Sequence, residues 1–268
     1  MCIRDSDRLP DQLKELIKLF PPGVLQFEIG IQTWNPSVAA NISRRQNYQK
    51  IIENLAWLRK NTHVHTHADL IVGLPGETIE SFAYGFDQLN QLGPNEIQVG
   101  ILKRLKGTPI VRHDREYEVV WNPHPPFNII SNRDMDALTI RRLTAFAKIW
   151  DLFANSGHFK NTIQKWKQNC QGSWFFEFLS FVDFFVGVHS QLHGIHLNDQ
   201  AEALYRWLVE KRGWNPQDTA NLIAQDWQRK AGRPALSFMS NPRISAVHTV
   251  RADKRKGRQN THLTAVPS

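Results

Sequence analysis

Two short stretches about forty residues apart place glycines and polar residues where a parallel α/β sheet carries its chemistry. The first runs from Phe27 to Thr33 (FEIGIQT) and the second from Ala68 to Glu77 (ADLIVGLPGE). Each is typical of a buried strand that enters a tight turn, and in parallel α/β barrels function lies at the carboxyl ends of the strands. Glycine there lets a ligand approach the backbone, and Gln32 and Thr33 offer hydrogen bonds to a ribose or a carboxylate. Taken alone, either stretch is equally consistent with an ordinary strand-to-helix connection.

Three histidines alternate along the second predicted strand. His63, His65 and His67 follow a period of two, which places them on one face, and Asp69 continues that face. Imidazoles can ligate zinc or iron. The competing interpretation leaves His63 and His65 near solvent at the amino-terminal rim of a barrel, with His67 and Asp69 pointing inward. Because alternation alone supplies no supporting hydrogen-bond partners, we predict no metal site here.

The elements that must position these residues alternate between strand and helix. This order implies right-handed parallel crossovers within one sheet. Three strands cannot close a barrel, so we predict an α/β fold that forms the carboxyl-terminal part of a parallel (β/α) barrel over residues 7–110. In chain order the predicted elements are a helix over Leu9–Phe20, a strand over Val24–Ile31, helices over Asn35–Ile42 and Asn47–Lys60, a strand over Val64–Leu74, a helix over Thr78–Leu92 and a strand over Glu96–Leu102.

The chain changes character after the third predicted strand. Prolines at 123, 125 and 126 predict a connection over residues 111–133, followed by an all-α domain over residues 134–240. The aromatic run from Trp174 to Phe185 is typical of a helical core or a domain interface. The predicted helices of this domain are Asp134–Asn155, Lys160–Asn169, Ser173–Val188, Asp199–Arg212 and Asn215–Lys230.

Composition narrows the class of protein. The net charge is +8, but residues 243–268 carry six Lys or Arg and one Asp, so residues 241–268 are predicted to form a basic, disordered tail. Such a tail does not by itself predict a nucleic-acid partner. The two cysteines, Cys2 and Cys170, exclude a disulfide framework and fit a reducing cytoplasm. No apolar run reaches the ~18 residues of a membrane span, so no membrane association is expected.

Residues 1–6 (MCIRDS) join awkwardly to the segment that begins at Asp7 and are predicted to be non-native.

In order and spacing these motifs resemble the radical S-adenosylmethionine enzymes, and most closely their cobalamin-binding branch. The resemblance extends over about residues 9–110 and includes Asn35-Pro36, Ser43-Arg44-Arg45 and Gly107-Thr108-Pro109. It implies that the three strands are barrel strands four, five and six, and that the methionyl carboxylate meets Arg44 or Arg45, of which we assign Arg45. The cofactor-binding residues that it implies are Glu28, Gly30, Gln32, Thr33, Arg45, Gly73, Leu74, Pro75 and Gly76.

The resemblance continues into the second half. Residues 121–126 (WNPHPP), Arg141-Arg142-Leu143 and Asn155-Ser156-Gly157 are similar to an uncharacterised carboxyl-terminal domain found behind such barrels. That domain brings no known chemistry, so neither a catalytic residue nor a small-molecule substrate is assigned.

One departure from the family pattern decides the functional expectation. The family binds a four-iron–four-sulfur cluster through a Cys-x3-Cys-x2-Cys loop, and the sequence has no such loop. We therefore expect the carboxyl-terminal portion of a longer enzyme, inactive alone, with the cluster, cobalamin and the amino-terminal half of the barrel supplied from elsewhere. The alternative is a cluster-less binding or scaffold protein that works through its helical domain. RNA contact through the basic tail is a minor third option.

Overall fold

The computed structural model describes residues 2–3, 9–189, 191–227 and 236–239, and it divides into two compact units. Of the described residues, the first unit takes those up to Ala147 and the second takes those from Lys148. The division therefore lies inside helix α5 (Ala137–Trp150), and residues 111–133 belong with the first unit. The predicted tail after residue 240 lies outside the described residues.

The first unit is built on a parallel sheet. Its strands are β1 (Cys2–Ile3), β2 (Gln26–Gln32), β3 (His65–Val72) and β4 (Glu96–Ile101), in the order β1-β2-β3-β4. The three longer strands confirm the predicted α/β class with its parallel crossovers. The backbone of Cys2–Ile3 pairs with Glu28 and Ile29, so two of the six residues that we predicted to be non-native are paired with the sheet.

Four helices accompany the sheet, and each lies within two residues of its predicted bounds: α1 (Asp11–Lys18), α2 (Pro36–Asn41), α3 (Tyr48–Asn61) and α4 (Ile79–Leu92). Local chemistry sets their starts, because the side chain of Asn47 accepts the backbone N–H of Lys50 and that of Thr78 accepts the backbone N–H of Ser81.

The two faces of the sheet differ in chemistry. One face is apolar and buried, and α4 packs against β3. The strand register places polar residues together on the other face, because directly paired residues of neighbouring strands point to the same side. The buried face comprises the apolar residues Phe27, Ile29, Ile31, Ala68, Leu70, Val72 and Ile97, together with the hydroxyl-bearing Thr66. The polar face comprises Gln26, Glu28, His65, His67, Asp69, Glu96 and Gln98.

The chain turns back after β4 and covers the end of β3. The carbonyl oxygen of Leu102 accepts the backbone N–H of Ile129, and the backbone N–H of Arg104 donates to Phe127. A 3₁₀ turn (Pro109–His113) and an antiparallel hairpin of β5 (Val120–Trp121) and β6 (Ile129–Ser131) lie within this segment. The hairpin was absent from our prediction, because strands of two and three residues leave no alternating pattern.

The second unit is helical, as predicted. After α5 come α6 (Lys160–Gln168), α7 (Trp174–Val188), α8 (Leu197–Arg206) and α9 (Pro216–Trp227), with π-helical segments at Asp151–Asn155 and Trp207–Lys211. Most aromatic side chains of α7 are buried, and they pack edge-to-face against Phe153 and Trp166. They form the helical core that the sequence predicted. Among the described residues, no helix combines the length and apolar character needed to cross a bilayer.

Candidate functional site

The carboxyl end of β2 carries an irregular turn. The pairing with β3 shifts register between Gly30 and Gln32, and Gln32 has a φ of 71°. The carbonyl oxygens of this bulge are bound by side chains: Nη2 of Arg44 donates to Gly30 (2.5 Å) and Nε2 of Gln46 donates to Ile31 (2.7 Å). The guanidinium of Arg44 and the side-chain amides of Gln32 and Gln46 therefore lie together at the predicted ligand site.

The end of α2 determines which arginine reaches this turn. Ser43 has a φ of 58°, its N–H donates to Ala40, and the N–H of Arg44 donates to Ala39. These two bonds form a Schellman motif, in which the left-handed residue reverses the chain at the helix end. The reversal directs Arg44 back toward β2.

Arg44 and Arg45 are placed differently as a result. The guanidinium of Arg44 lies beside Gly30, where its nitrogens are 3.8 and 3.9 Å from the position that a Cβ on Gly30 would take. Arg45, to which we assigned the methionyl carboxylate, is exposed on the surface. The structure thus brings Arg44, and not Arg45, to Gly30 and Gln32.

Thr33 and Glu77 form a buried polar pair behind the turn. Each is 1% exposed, and the hydroxyls of Thr33 and Ser81 both donate to the Glu77 carboxylate. The hydroxyl of Thr33 also accepts the backbone N–H of Asn35. Burial raises the pKa of Glu77, and the two hydroxyl donors oppose that shift. Thr33, a predicted cofactor-binding residue, therefore ties the end of β2 to the start of α4.

The turn after β3 is packed by the chain's own later residues. Gly73, Leu74 and Pro75 are buried. Gly73 has a φ of 88°, and a Cβ there would lie 2.8 Å from Cγ2 of Ile129, so the turn requires glycine for both its backbone angle and its packing. Three side chains hold the turn: Asn132 donates to the Gly73 carbonyl, Asp134 accepts the Gly76 N–H (3.0 Å), and Asn41 donates to the Pro75 carbonyl (2.9 Å).

The predicted residue Glu28 is exposed on the polar face of the sheet. It influences Asp69, whose pKa is raised to about 6 by burial and then by the negative charge of Glu28. Oδ1 of Asp69 is buried and has no hydrogen-bond partner among the described residues. Asp69 pairs with Gly30 in the sheet register, so this carboxylate lies beside the predicted ligand site.

Glu96 joins two of the histidines in a cluster that sequence reasoning missed. Nε2 of His65 lies 3.1 Å and Nε2 of His67 lies 3.6 Å from Oε1 of Glu96. His65 is 5% exposed, so the interpretation that placed it near solvent is wrong, whereas His63 is exposed. The sequence shows Glu96 only as the first residue of a strand. Its position opposite His67 depends on the register between β3 and β4.

The cysteines of this chain do not fit an iron–sulfur cluster. Cys2 lies in β1 of the first unit, whereas Cys170 lies in the second unit, where its thiol donates to the backbone carbonyl of Ser173. Cluster ligation uses several thiolates around one point, and a four-iron cluster uses Cys₄ or three such ligands with an open site. Two cysteines cannot supply them.

Comparison with known proteins places the motifs in families. Residues 2–87 match the family described as the Radical SAM superfamily, and residues 115–260 match Protein of unknown function (DUF4080). The ribosomal protein uS12 methylthiotransferase RimO of Carboxydothermus hydrogenoformans is 29% identical over 107 residues, which cover 40% of this chain and 24% of that protein. The oxygen-independent coproporphyrinogen III oxidase of Escherichia coli K12 is 32% identical over 88 residues, which cover 33% of this chain and 19% of that protein.

A solved structure of the Escherichia coli coproporphyrinogen III oxidase HemN, described as a radical SAM enzyme, is also similar. It aligns with a TM-score of 0.33 at 26% identity, over 44% of this chain and 25% of that chain. This chain therefore spans about a fifth to a quarter of the length of the relatives that it matches. Because the match to the uncharacterised family covers more than half of its residues, this chain belongs to the family described as Protein of unknown function (DUF4080), and it carries a Radical SAM superfamily segment ahead of that match.

Proposed function

We propose that the first unit binds S-adenosylmethionine at the carboxyl ends of β2 and β3, as part of a radical S-adenosylmethionine enzyme. The observation that carries this proposal is the position of Arg44, whose guanidinium lies at Gly30 and Gln32 within the stretch that matches the Radical SAM superfamily. A cationic fork beside a glycine at a strand end suits the amino-acid portion of this cofactor.

The chemistry of these residues fits the cofactor's carboxylate. A guanidinium has five N–H donors in a fixed fork, so Arg44 can hold the Gly30 carbonyl and a ligand carboxylate together. Gln32 adds a neutral amide donor, whose Nε2 lies 2.8 Å from the position that a Cβ on Gly30 would take, so Gly30 allows this amide to lie close to the backbone. In this proposal these residues bind and orient the ligand, while Thr33 and Glu77 fix the turn from behind.

When bound to a reduced iron–sulfur cluster, S-adenosylmethionine supplies a 5′-deoxyadenosyl radical. The residues of this chain do not fit the cluster, so we propose that its ligands lie outside these 268 residues. Cobalamin as a further cofactor and a cytoplasmic location stay predictions of the sequence. The relatives named above act on a ribosomal protein and on coproporphyrinogen III, so they indicate no common substrate for this chain.

Isothermal titration with S-adenosylmethionine tests the site, using the untagged chain and two neighbouring variants. Arg44→Ala removes a charge-assisted hydrogen bond worth about 1.5–3 kcal/mol and should weaken binding roughly tenfold or more. Arg45→Ala removes the same charge from an exposed position and should leave affinity within about twofold. Equal losses in the two variants, or no binding by the unaltered chain, would overturn the proposal. No binding would instead favour the cluster-less scaffold.

The dependence on an external cluster has its own test. The chain is incubated with S-adenosylmethionine and a chemical reductant, and 5′-deoxyadenosine is measured against a heat-inactivated control. We expect no production above that control. Production would show that the chain needs no further cluster ligands.

A further inference from the structure

We propose that His65, His67 and Glu96 form a binding site for a divalent transition-metal ion, with zinc as the ion to test first. This site is independent of the proposed cofactor site, because it lies on the polar face near the amino-terminal ends of β3 and β4, whereas Arg44 and Gly30 lie at a carboxyl end. One potential ligand atom from each of the three residues lies within 4.8 Å of the others.

The two distances from Glu96 suit a shared ion. Zinc binds imidazole nitrogen at about 2.0–2.1 Å and carboxylate oxygen at about 2.0–2.2 Å in tetrahedral geometry, so two ligand atoms on one ion lie roughly 3.3–3.5 Å apart. The two separations from Oε1 of Glu96, 3.1 Å to His65 and 3.6 Å to His67, lie on either side of that range. Two histidines and one carboxylate form a ligand set that leaves a coordination position open.

Burial favours an ion at this point. Glu96 is 4% exposed, and an ionised carboxylate removed from water requires a compensating positive charge. The nitrogens of both histidines converge on the same carboxylate oxygen, and the rings lie edge to face with centroids 4.8 Å apart. A single metal ion accommodates both imidazoles and the carboxylate at once.

The backbone holds the three ligands in register. His67 pairs directly with Glu96, and His65 lies two residues earlier on the same face of β3. Asn95 fixes the start of β4, because its side-chain oxygen accepts both the N–H and the hydroxyl of Thr66 (2.8 and 3.0 Å). Since Thr66 lies between the two histidines, its hydrogen bonds to Asn95 position the adjacent Glu96 against both of them.

The test uses the untagged full chain, dialysed against a chelator and titrated with Zn²⁺ by calorimetry. Cobalt(II) serves as a second probe, because its visible spectrum reports a tetrahedral site with nitrogen ligands. His67→Asn and Glu96→Gln each remove one ligand and retain a polar side chain of similar size. His63→Ala removes an exposed histidine of the same segment and serves as the matched control.

We expect one Zn²⁺ per chain, and binding at least about tenfold weaker in His67→Asn and in Glu96→Gln, since even outer partners of metal ligands are worth 10- to 100-fold in affinity. His63→Ala should bind like the unaltered chain. Absence of stoichiometric binding, retention of full affinity in both ligand variants, or an equal loss in His63→Ala would each overturn the proposal. Thermal melting without metal shows whether each variant is folded. If one of the two ligand variants does not fold, the other is sufficient for the test.

Discussion

The carboxylate of Asp226 caps the amino terminus of a helix that begins more than sixty residues earlier. Oδ2 accepts both the backbone N–H and the hydroxyl of Thr162 (2.8 Å each), a residue 64 positions away, and Oδ1 accepts the N–H of Asn161 (3.0 Å). Phe159, at the cap position of α6, provides no side-chain hydrogen bond. Asp226 therefore replaces the local cap and fastens α9 to α6.

Removing this cap should destabilise the second unit strongly. Asp226 is 2% exposed, so Asp226→Ala removes the acceptor of the N–H and hydroxyl of buried Thr162 and of the half-buried N–H of Asn161, and we expect a loss of about 3 kcal/mol in the free energy of unfolding. Urea unfolding followed by tryptophan fluorescence measures it. Asp218 lies in the exposed first turn of α9, the helix that also contains Asp226. Asp218→Ala should lower the free energy of unfolding by less than about 1 kcal/mol. Similar losses in the two variants would contradict the capping role.

Gly73 should tolerate alanine less well than another glycine with a similar backbone. Gly73 and Gly107 have φ values of 88° and 81°, but a Cβ at Gly73 meets Ile129, whereas one at Gly107 has no heavy atom within 4 Å. The backbone cost of about 1–2 kcal/mol is common to both, and overpacking adds about 1–3 kcal/mol at Gly73 alone. Denaturation midpoints of Gly73→Ala and Gly107→Ala would show the difference. Equal midpoints would mean that the Ile129 side chain moves away from the added Cβ at no cost in stability.

Glu77 should make stability depend on pH. Burial raises its pKa, so the folded chain retains this proton to a higher pH than the unfolded chain does. The resulting stabilisation is complete below the unfolded pKa and is lost as pH rises through the folded pKa. Relative to Glu77→Gln, the unaltered chain should therefore be less stable at about pH 8 than at about pH 4.

Paired unfolding curves of the two proteins at both pH values give this difference, and other titrating groups cancel in the comparison. Glu80→Gln, an exposed carboxylate in the first turn of α4, is the matched control and should show no such trend. A difference that grows in the opposite direction would show that the hydroxyl donors of Thr33 and Ser81, which favour the ionised carboxylate, outweigh burial.

Sequence patterns predicted the elements whose signals are local. Helix α6 was predicted over Lys160–Asn169 and is found over Lys160–Gln168, and α7 was predicted one residue too long at its start. Apolar spacing and a serine cap are sufficient for such elements. The glycine-bearing turns likewise lie at the ends of β2 and β3, where the sequence placed them, because glycine and strand endings are visible in the sequence.

The parts that sequence reasoning missed depend on non-local geometry. Arg44 rather than Arg45 reaches Gly30 because Ser43 adopts a left-handed backbone conformation. Serine rarely adopts this conformation, and the neighbouring residues in the sequence do not predict it. The position of Glu96 beside His65 and His67 follows from strand register. Asp226 caps α6 only because the helices of the second unit pack together.

The two sides of strand β3 meet different physical requirements. The residues on one side, from Thr66 to Val72 in alternation, bury the apolar surface that keeps the unit folded. The residues on the other side carry imidazoles and a carboxylate. Substitutions on the second side therefore change the reactive groups while the packed side stays unchanged. One architecture can acquire different chemistries in this way without passing through an unfolded form.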